Sequence, residues 1–159
     1  QFKEWERNDL PTSQTSLDYS PSDFEFTPRE NIFVNKDEVI NAIGNPDFII
    51  LNSLTADIHE GQNPRYGRRG KIPSSKNIPF HELLDNKTGK FKPIEELANM
   101  FEKNKITKDK QILNYCGGGI AASLEAFVLY QLGFEKIVIY DNSLHEWAAI
   151  DQTLPMENN

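Results

Sequence analysis

The chain has 159 residues, of which 38% are apolar, with 17 basic and 24 acidic side chains and a net charge of −7. That length suits one domain of ordinary size, the acidic balance argues against nucleic acid or anionic lipid as a partner, and no apolar run approaches the roughly 18 residues of a membrane helix. A single cysteine forbids an internal disulfide, and His59, His81 and His145 are too scattered for a zinc-type ligand set, so neither metal nor cofactor is expected.

Residues 1–31 hold only seven apolar residues among ten Pro, Ser and Thr, too few to offset the entropy of ordering, and they read as a linker. Asn31 to Val34 is a short strand, Asn35 a helix cap, and Lys36 to Ile43 a helix with Val39, Ile40 and Ile43 at helical spacing and Gly44 at its end. Phe48 to Leu51 is a continuous apolar run, as in a strand buried on both faces of a parallel sheet. Gly61 to Pro79 is a long loop carrying Arg65, Arg68, Arg69 and Lys71. Phe80 to Leu84 forms a helical turn, and Pro93 to Asn104 a helix with Ile94, Leu97, Met100 and Phe101 on one face. Gln111 to Tyr115, Ile120 to Leu132 and Ile137 to Tyr140 make a β-α-β unit with Gly133 as the helix stop. Such units join parallel strands and gather ligands at the strands' carboxyl ends, which is where Cys116 falls.

The two ends of the chain resemble each other. Phe2-Lys-Glu-Trp5 is followed by Leu10-Pro11, and Leu144-His-Glu-Trp147 by Leu154-Pro155. The pattern reads as a duplication, with the chain opening on the closing motif of its own domain, as the second half of a tandem protein would. With its natural start displaced in this way, no targeting signal is legible, and the cytoplasm is the default compartment.

Chemistry concentrates at Asn114-Tyr-Cys116-Gly-Gly-Gly-Ile120-Ala-Ala-Ser123. Three glycines after the cysteine free the backbone to turn its N–H groups toward the sulfur, and the following helix adds its positive end. Hydrogen bonds to a charged acceptor contribute about 1.5–3 kcal/mol each and a helix terminus about 0.3–1 kcal/mol, so the amides would carry most of the stabilisation of an anion here. A lone cysteine at a strand end is otherwise often buried and inert. A cysteine phosphatase needs an arginine where Ala122 stands, and a nucleotide P-loop needs a Gly-Lys-Ser/Thr ending that is absent, so both readings fall away.

Tyr115-Cys116-Gly-Gly-Gly119-Ile120-Ala, Leu132-Gly133, Tyr140-Asp141-Asn-Ser143-Leu-His-Glu146-Trp147 and Gly70-Lys-Ile72-Pro73-Ser-Ser-Lys-Asn77-Ile78-Pro79-Phe80 resemble the C-terminal domain of tandem rhodanese sulfurtransferases over about residues 30–155. The resemblance implies an α/β fold with a five-stranded parallel sheet flanked by helices on both faces. It implies residues 1–29 as the end of a preceding rhodanese domain plus linker, and residues 30–159 as the domain carrying the active-site cysteine. It also implies a ping-pong transfer of sulfane sulfur in which Cys116 becomes a persulfide held by the amides of Gly117, Gly118, Gly119, Ile120 and Ala121. The partners would be a small anionic donor, a thiol or cyanide acceptor, and the N-terminal domain of the same polypeptide.

The chain departs from the family on the donor side. Asn52-Ser53-Leu54 replaces the usual Asp-x-Arg, Ile58 stands where an arginine often follows, and the cysteine loop lacks both the basic residues and the Ser/Thr of its two main branches. Arg65, Arg68 and Arg69 are the candidates to replace the lost charge, with thiosulfate ahead of 3-mercaptopyruvate as donor. His81, His145, Asp141, Ser143, Glu146 and Trp147 read as structural. The alternative to an enzyme is a binding or regulatory module that keeps the fold and has lost or altered the donor site.

Overall fold

A computed structural model describes residues 2–27 and 30–158. Gln1, Pro28, Arg29 and Asn159 are outside the described residues, and the expected domain boundary after residue 29 falls with them. In chain order the elements are α1 (Phe2–Arg7), β1 (Phe33–Val34), α2 (Lys36–Ala42), β2 (Phe48–Asn52), α3 (Ala56–His59), β3 (Lys76–Asn77), α4 (Ile94–Lys103), β4 (Gln111–Tyr115), α5 (Ile120–Gln131) and β5 (Ile137–Tyr140). A 3-10 turn at Phe80–Leu83 precedes α4, and a π-helical turn at His145–Ile150 follows β5. Among the described residues no helix is long and apolar enough to cross a membrane.

The five strands form one sheet in the order β1-β5-β4-β2-β3, and every pair is parallel. Alternation along the central strands divides the core between two faces. Ile50 and Leu113 pack on one side with Val39 and Ala42 of α2, Trp147 and Leu154. Ile49, Leu51 and Ile112 pack on the other with Leu97 and Phe101 of α4 and Val128 and Leu129 of α5. The α/β sheet with helices on both faces is therefore as expected.

Local signals set the element ends. Asn35 Oδ1 accepts from the amides of Asp37 (2.8 Å) and Glu38 (3.3 Å), while Glu38 Oε2 accepts from the Asn35 amide (2.8 Å), a reciprocal capping box that starts α2. At the end of α5, Gly133 has φ +78, its amide donates to the Tyr130 carbonyl and the Phe134 amide to the Leu129 carbonyl, both at 3.0 Å. This is the paired C-terminal motif that a positive-φ glycine permits.

Two elements, β3 and α1, lie in stretches read as loop and linker, and α3 lies in a stretch given no element. Strand β3 is two residues long and sits inside the expected 61–79 loop, α3 follows β2 directly, and α1 occupies the start of the linker. The remainder of residues 8–27 is exposed and has no helix or strand. The duplicated motif also repeats one hydrogen bond: Trp5 Nε1 donates to the Pro11 carbonyl at 3.0 Å, and Trp147 Nε1 to the Pro155 carbonyl at 2.7 Å.

Candidate active site

Strand β4 is the middle strand of the sheet, and Cys116 follows its last residue at the carboxyl edge, with 2% of its surface exposed. It lies in a cleft of about 530 Å³ whose lining also includes Gly117, Gly118, Ile120 and Ala121 from the expected cradle. Three bonds hold this loop to the turn after β5. The Cys116 amide donates to Ser143 Oγ (3.0 Å), and the Cys116 and Gly117 carbonyls accept from the amides of Leu144 (3.1 Å) and His145 (2.9 Å). Ser143 Oγ itself donates to the Tyr140 carbonyl at 2.7 Å, so this buried serine with φ +51 ties the two strand ends together.

That arrangement uses the loop's carbonyls and leaves its amides. Among the described residues, the N–H groups of Gly117, Gly118, Gly119, Ala121 and Ala122 have no acceptor. They stand at the start of α5, where the helix presents its positive end, an arrangement suited to an anion, whereas the Ile120 amide, expected in the same cradle, donates to the Gly118 carbonyl at 3.1 Å. The three glycines are not equivalent. Gly119 has φ +80 and does not line the cleft; a side chain there would collide with Asp141 Oδ1. A side chain on Gly117 would collide with the Tyr66 hydroxyl, whereas one on Gly118 would meet nothing within 4 Å. The cysteine loop is thus walled by Tyr66 on one side and open on the other.

The three arginines separate. Arg65 lines the cleft, with its guanidinium 5.8 Å from the centre of the Tyr66 ring. Arg68 is turned away: it donates to the carbonyls of Leu154 (2.7 Å), Asp151 (3.2 Å), Ala148 (3.4 Å) and Trp147. Those carbonyls belong to the final turn of the chain, whose unsatisfied acceptors attract a cation. Arg69 donates to the carbonyls of Gly61 (2.9 Å) and Gln62 (2.6 Å). The expected trio of substrate-side charges therefore reduces to Arg65.

Leu54 and Ile58, the two apolar residues singled out on the donor side, both line the cleft, together with Thr55, Tyr66, Phe80, Leu124 and His145. Sequence reasoning did not find Tyr66, Thr55, Phe80 or Leu124, and it set His145 aside. Only the position of His145, directly after the turn that follows β5, signalled proximity to the carboxyl edge of the sheet.

Beneath this surface lie two unusual polar groups. His59 is buried, which with the nearby Lys71 charge lowers its imidazole to about 4. It is therefore neutral, and its Nδ1 accepts from Asn52 Nδ2 at 3.1 Å. Asn52 Oδ1 also accepts from the Leu54 amide at 2.9 Å, so Asn52 shapes the turn after β2. Glu125 of α5 is wholly buried; Ser53 Oγ donates to its Oε2, its Oε1 has no partner among the described residues, and burial pushes its carboxyl up to about 8.

The carboxyl end of the central parallel strand thus brings together the chain's one cysteine, loop amides without acceptors and a helix start, at the edge where parallel α/β sheets gather their ligands. The model of the rhodanese-like domain matches residues 35–150, and the chain belongs to that family. It is 34% identical over 142 residues to thiosulfate/3-mercaptopyruvate sulfurtransferase 1, mitochondrial, of Arabidopsis thaliana, covering 87% of this chain and 37% of that protein. It is 28% identical to the 3-mercaptopyruvate sulfurtransferase of Mus musculus (92% and 50% covered) and 34% identical to the sulfur carrier protein TtuD of Thermus thermophilus (93% and 56%). The chain thus spans between about a third and a little over half the length of these relatives. Among solved structures, the anaerobic ergothioneine biosynthesis enzyme of Chlorobium limicola superposes with a TM-score of 0.84 at 18% identity, over 99% of this chain and 40% of that one, which shows a shared fold.

Proposed function

We propose that this domain is a sulfurtransferase that carries sulfane sulfur as a persulfide on Cys116. The observation that supports it most directly is the nucleophile's setting, a cysteine in an open cleft next to five amides with no acceptor. The Cys116 thiolate attacks the terminal sulfur of the donor, the donor's bond to that sulfur breaks, and the electron pair leaves with the remainder of the donor. The amides of the loop and of the start of α5 hold the resulting Cys–S–S⁻. Cys116 is the sole cysteine, so discharge requires an outside acceptor such as cyanide or a thiol rather than an internal disulfide.

Thiosulfate and 3-mercaptopyruvate, the donors in the relatives' names, are the first candidates. With Arg68 and Arg69 bound to carbonyls, Arg65 is the one of the three candidate arginines left to meet an anionic donor. The repeated Trp–Pro hydrogen bond supports reading residues 2–11 as the closing segment of a preceding rhodanese domain, which would be the partner of this one in a tandem protein.

Intact-mass spectrometry after incubation with each donor tests the proposal. Gain of one sulfur, its removal by cyanide, and no gain in Cys116→Ser support it. A folded protein that no donor loads would favour the second reading, a binding module, to which the apolar Leu54 and Ile58 at the donor side already point.

A further inference from the structure

We propose that the cleft selects an organic monoanion whose sulfane sulfur is carried on an apolar body, and disfavours the small inorganic dianion thiosulfate. The inference rests on the persulfide reading above and concerns what the same site admits.

Size is the first argument. A cleft of about 530 Å³ lies within the roughly 300–1,000 Å³ of sites that hold substantial organic ligands, and thiosulfate has only five heavy atoms. Charge is the second. Among the described residues Arg65 is the one lysine or arginine lining the cleft and His145 the only other basic side chain there, so beyond the reach of the loop amides a second anionic charge meets a mainly apolar lining that includes Leu54 and Ile58. An unpaired charge taken from water onto apolar surface is strongly disfavoured.

Shape is the third. Tyr66 closes the loop at Gly117, and the space over Gly118 is open. A donor with its terminal sulfur at Cys116 therefore extends over Gly118 toward Ile120, the first residue of α5, whose side chain is 87% exposed at the rim. Ile120, Leu54, Ile58, Phe80 and Leu124 give that body an apolar wall, and covering the exposed Ile120 and the partly exposed Phe80 and Leu124 removes apolar surface from water.

Thiosulfonates, R–SO₂–S⁻, isolate these features because they share the sulfane sulfur, carry one charge and differ only in R. The Cys116 thiolate forms a bond to the terminal sulfur as the donor's S–S bond breaks, the electron pair leaves on the sulfinate R–SO₂⁻, and Cys116 keeps Cys–S–S⁻. No oxidant, reductant or proton is consumed.

The experiment measures kcat/KM for sulfur transfer to cyanide with thiosulfate, methanethiosulfonate and benzenethiosulfonate, with intact mass reporting the loaded cysteine. The benzene donor is expected to exceed the methane donor by about tenfold, equivalent to about 1.4 kcal/mol, and thiosulfate to be the poorest of the three. Ile120→Ser, at an exposed position, should shrink the benzene-to-methane ratio severalfold. A benzene-to-methane ratio near one, or thiosulfate as the best donor, overturns the selectivity and leaves the persulfide reading standing. Failure of all three to load a folded protein overturns both.

Discussion

The buried carboxyl of Glu125 makes stability depend on pH in a direction opposite to that of a paired surface acid. Its ordinary value of 4.5 rises to about 8 in the folded chain because burial disfavours the anion and Ser53 Oγ alone hydrogen-bonds to it. Below pH 4.5 both folded and unfolded chains hold the proton and stability is at its full value. Between 4.5 and 8 the unfolded chain releases the proton and the folded chain keeps it, so stability falls as pH rises, and above 8 the loss is complete. At about 1.36 kcal/mol per pH unit the ceiling on that loss is roughly 5 kcal/mol, and structural relaxation around the anion brings the expected loss to about 2 kcal/mol or more. Glu125→Gln keeps the shape and an acceptor for Ser53 while removing the titration. Its second amide hydrogen adds a pH-independent offset, so the pH slope is the quantity to read. Urea unfolding at pH 5 and pH 8 should show the wild-type midpoint falling about 1 M further than the variant's, for a slope of about 2 kcal/mol/M. Parallel pH profiles for the two proteins would refute the reasoning, because every other carboxylate is common to both.

Gly117→Ala places a methyl on the Tyr66 hydroxyl and should slow sulfur loading of Cys116 more than tenfold, with Tyr66→Gly in the same chain restoring a measurable part; loading kinetics by mass spectrometry checks both. Gly119→Ala combines a positive φ with a collision at Asp141 and should cost about 2 kcal/mol in chemical denaturation, with Gly118→Ala, at an open position, costing less. Arg68→Ala removes four hydrogen bonds to the final turn and should destabilise the fold by about 2–3 kcal/mol. Arg65→Ala should instead leave the melting temperature unchanged and raise KM for anionic donors severalfold.

Elements governed by near neighbours were legible in the sequence. Asn35 announces α2, Gly133 closes α5, and the apolar runs of β2 and β4 mark buried parallel strands. Strand β3 was not, because its two residues are polar and its pairing with Leu51 and Asn52 depends on a partner some 25 positions away. The same distinction divides the site. Cys116 and its glycines form one contiguous motif, whereas Tyr66 reaches Gly117 from across the fold and carries no periodic signal. The arginine cluster looked uniform as letters; which head group faces the cleft and which meets backbone was decided for Arg68 by carbonyls 79 to 86 positions further on and for Arg69 by Gly61 and Gln62.

Tyr115 occupies the strand position just before the nucleophile, and its buried hydroxyl accepts from the Ile72 amide at 3.2 Å and lies 3.0 Å from Ser75 Oγ. That anchor fixes the downstream base of the loop that bears Arg65 and Tyr66 to the very strand that delivers Cys116. The proposed nucleophile and the residues proposed to face its donor are consequently mounted on one rail while remaining separate in sequence. Arg65 and Tyr66 can change in character without touching that anchor or the bonds that Arg68 and Arg69 make to backbone carbonyls. A joint of this kind would let the preference for a donor change while the proposed persulfide chemistry stays in place.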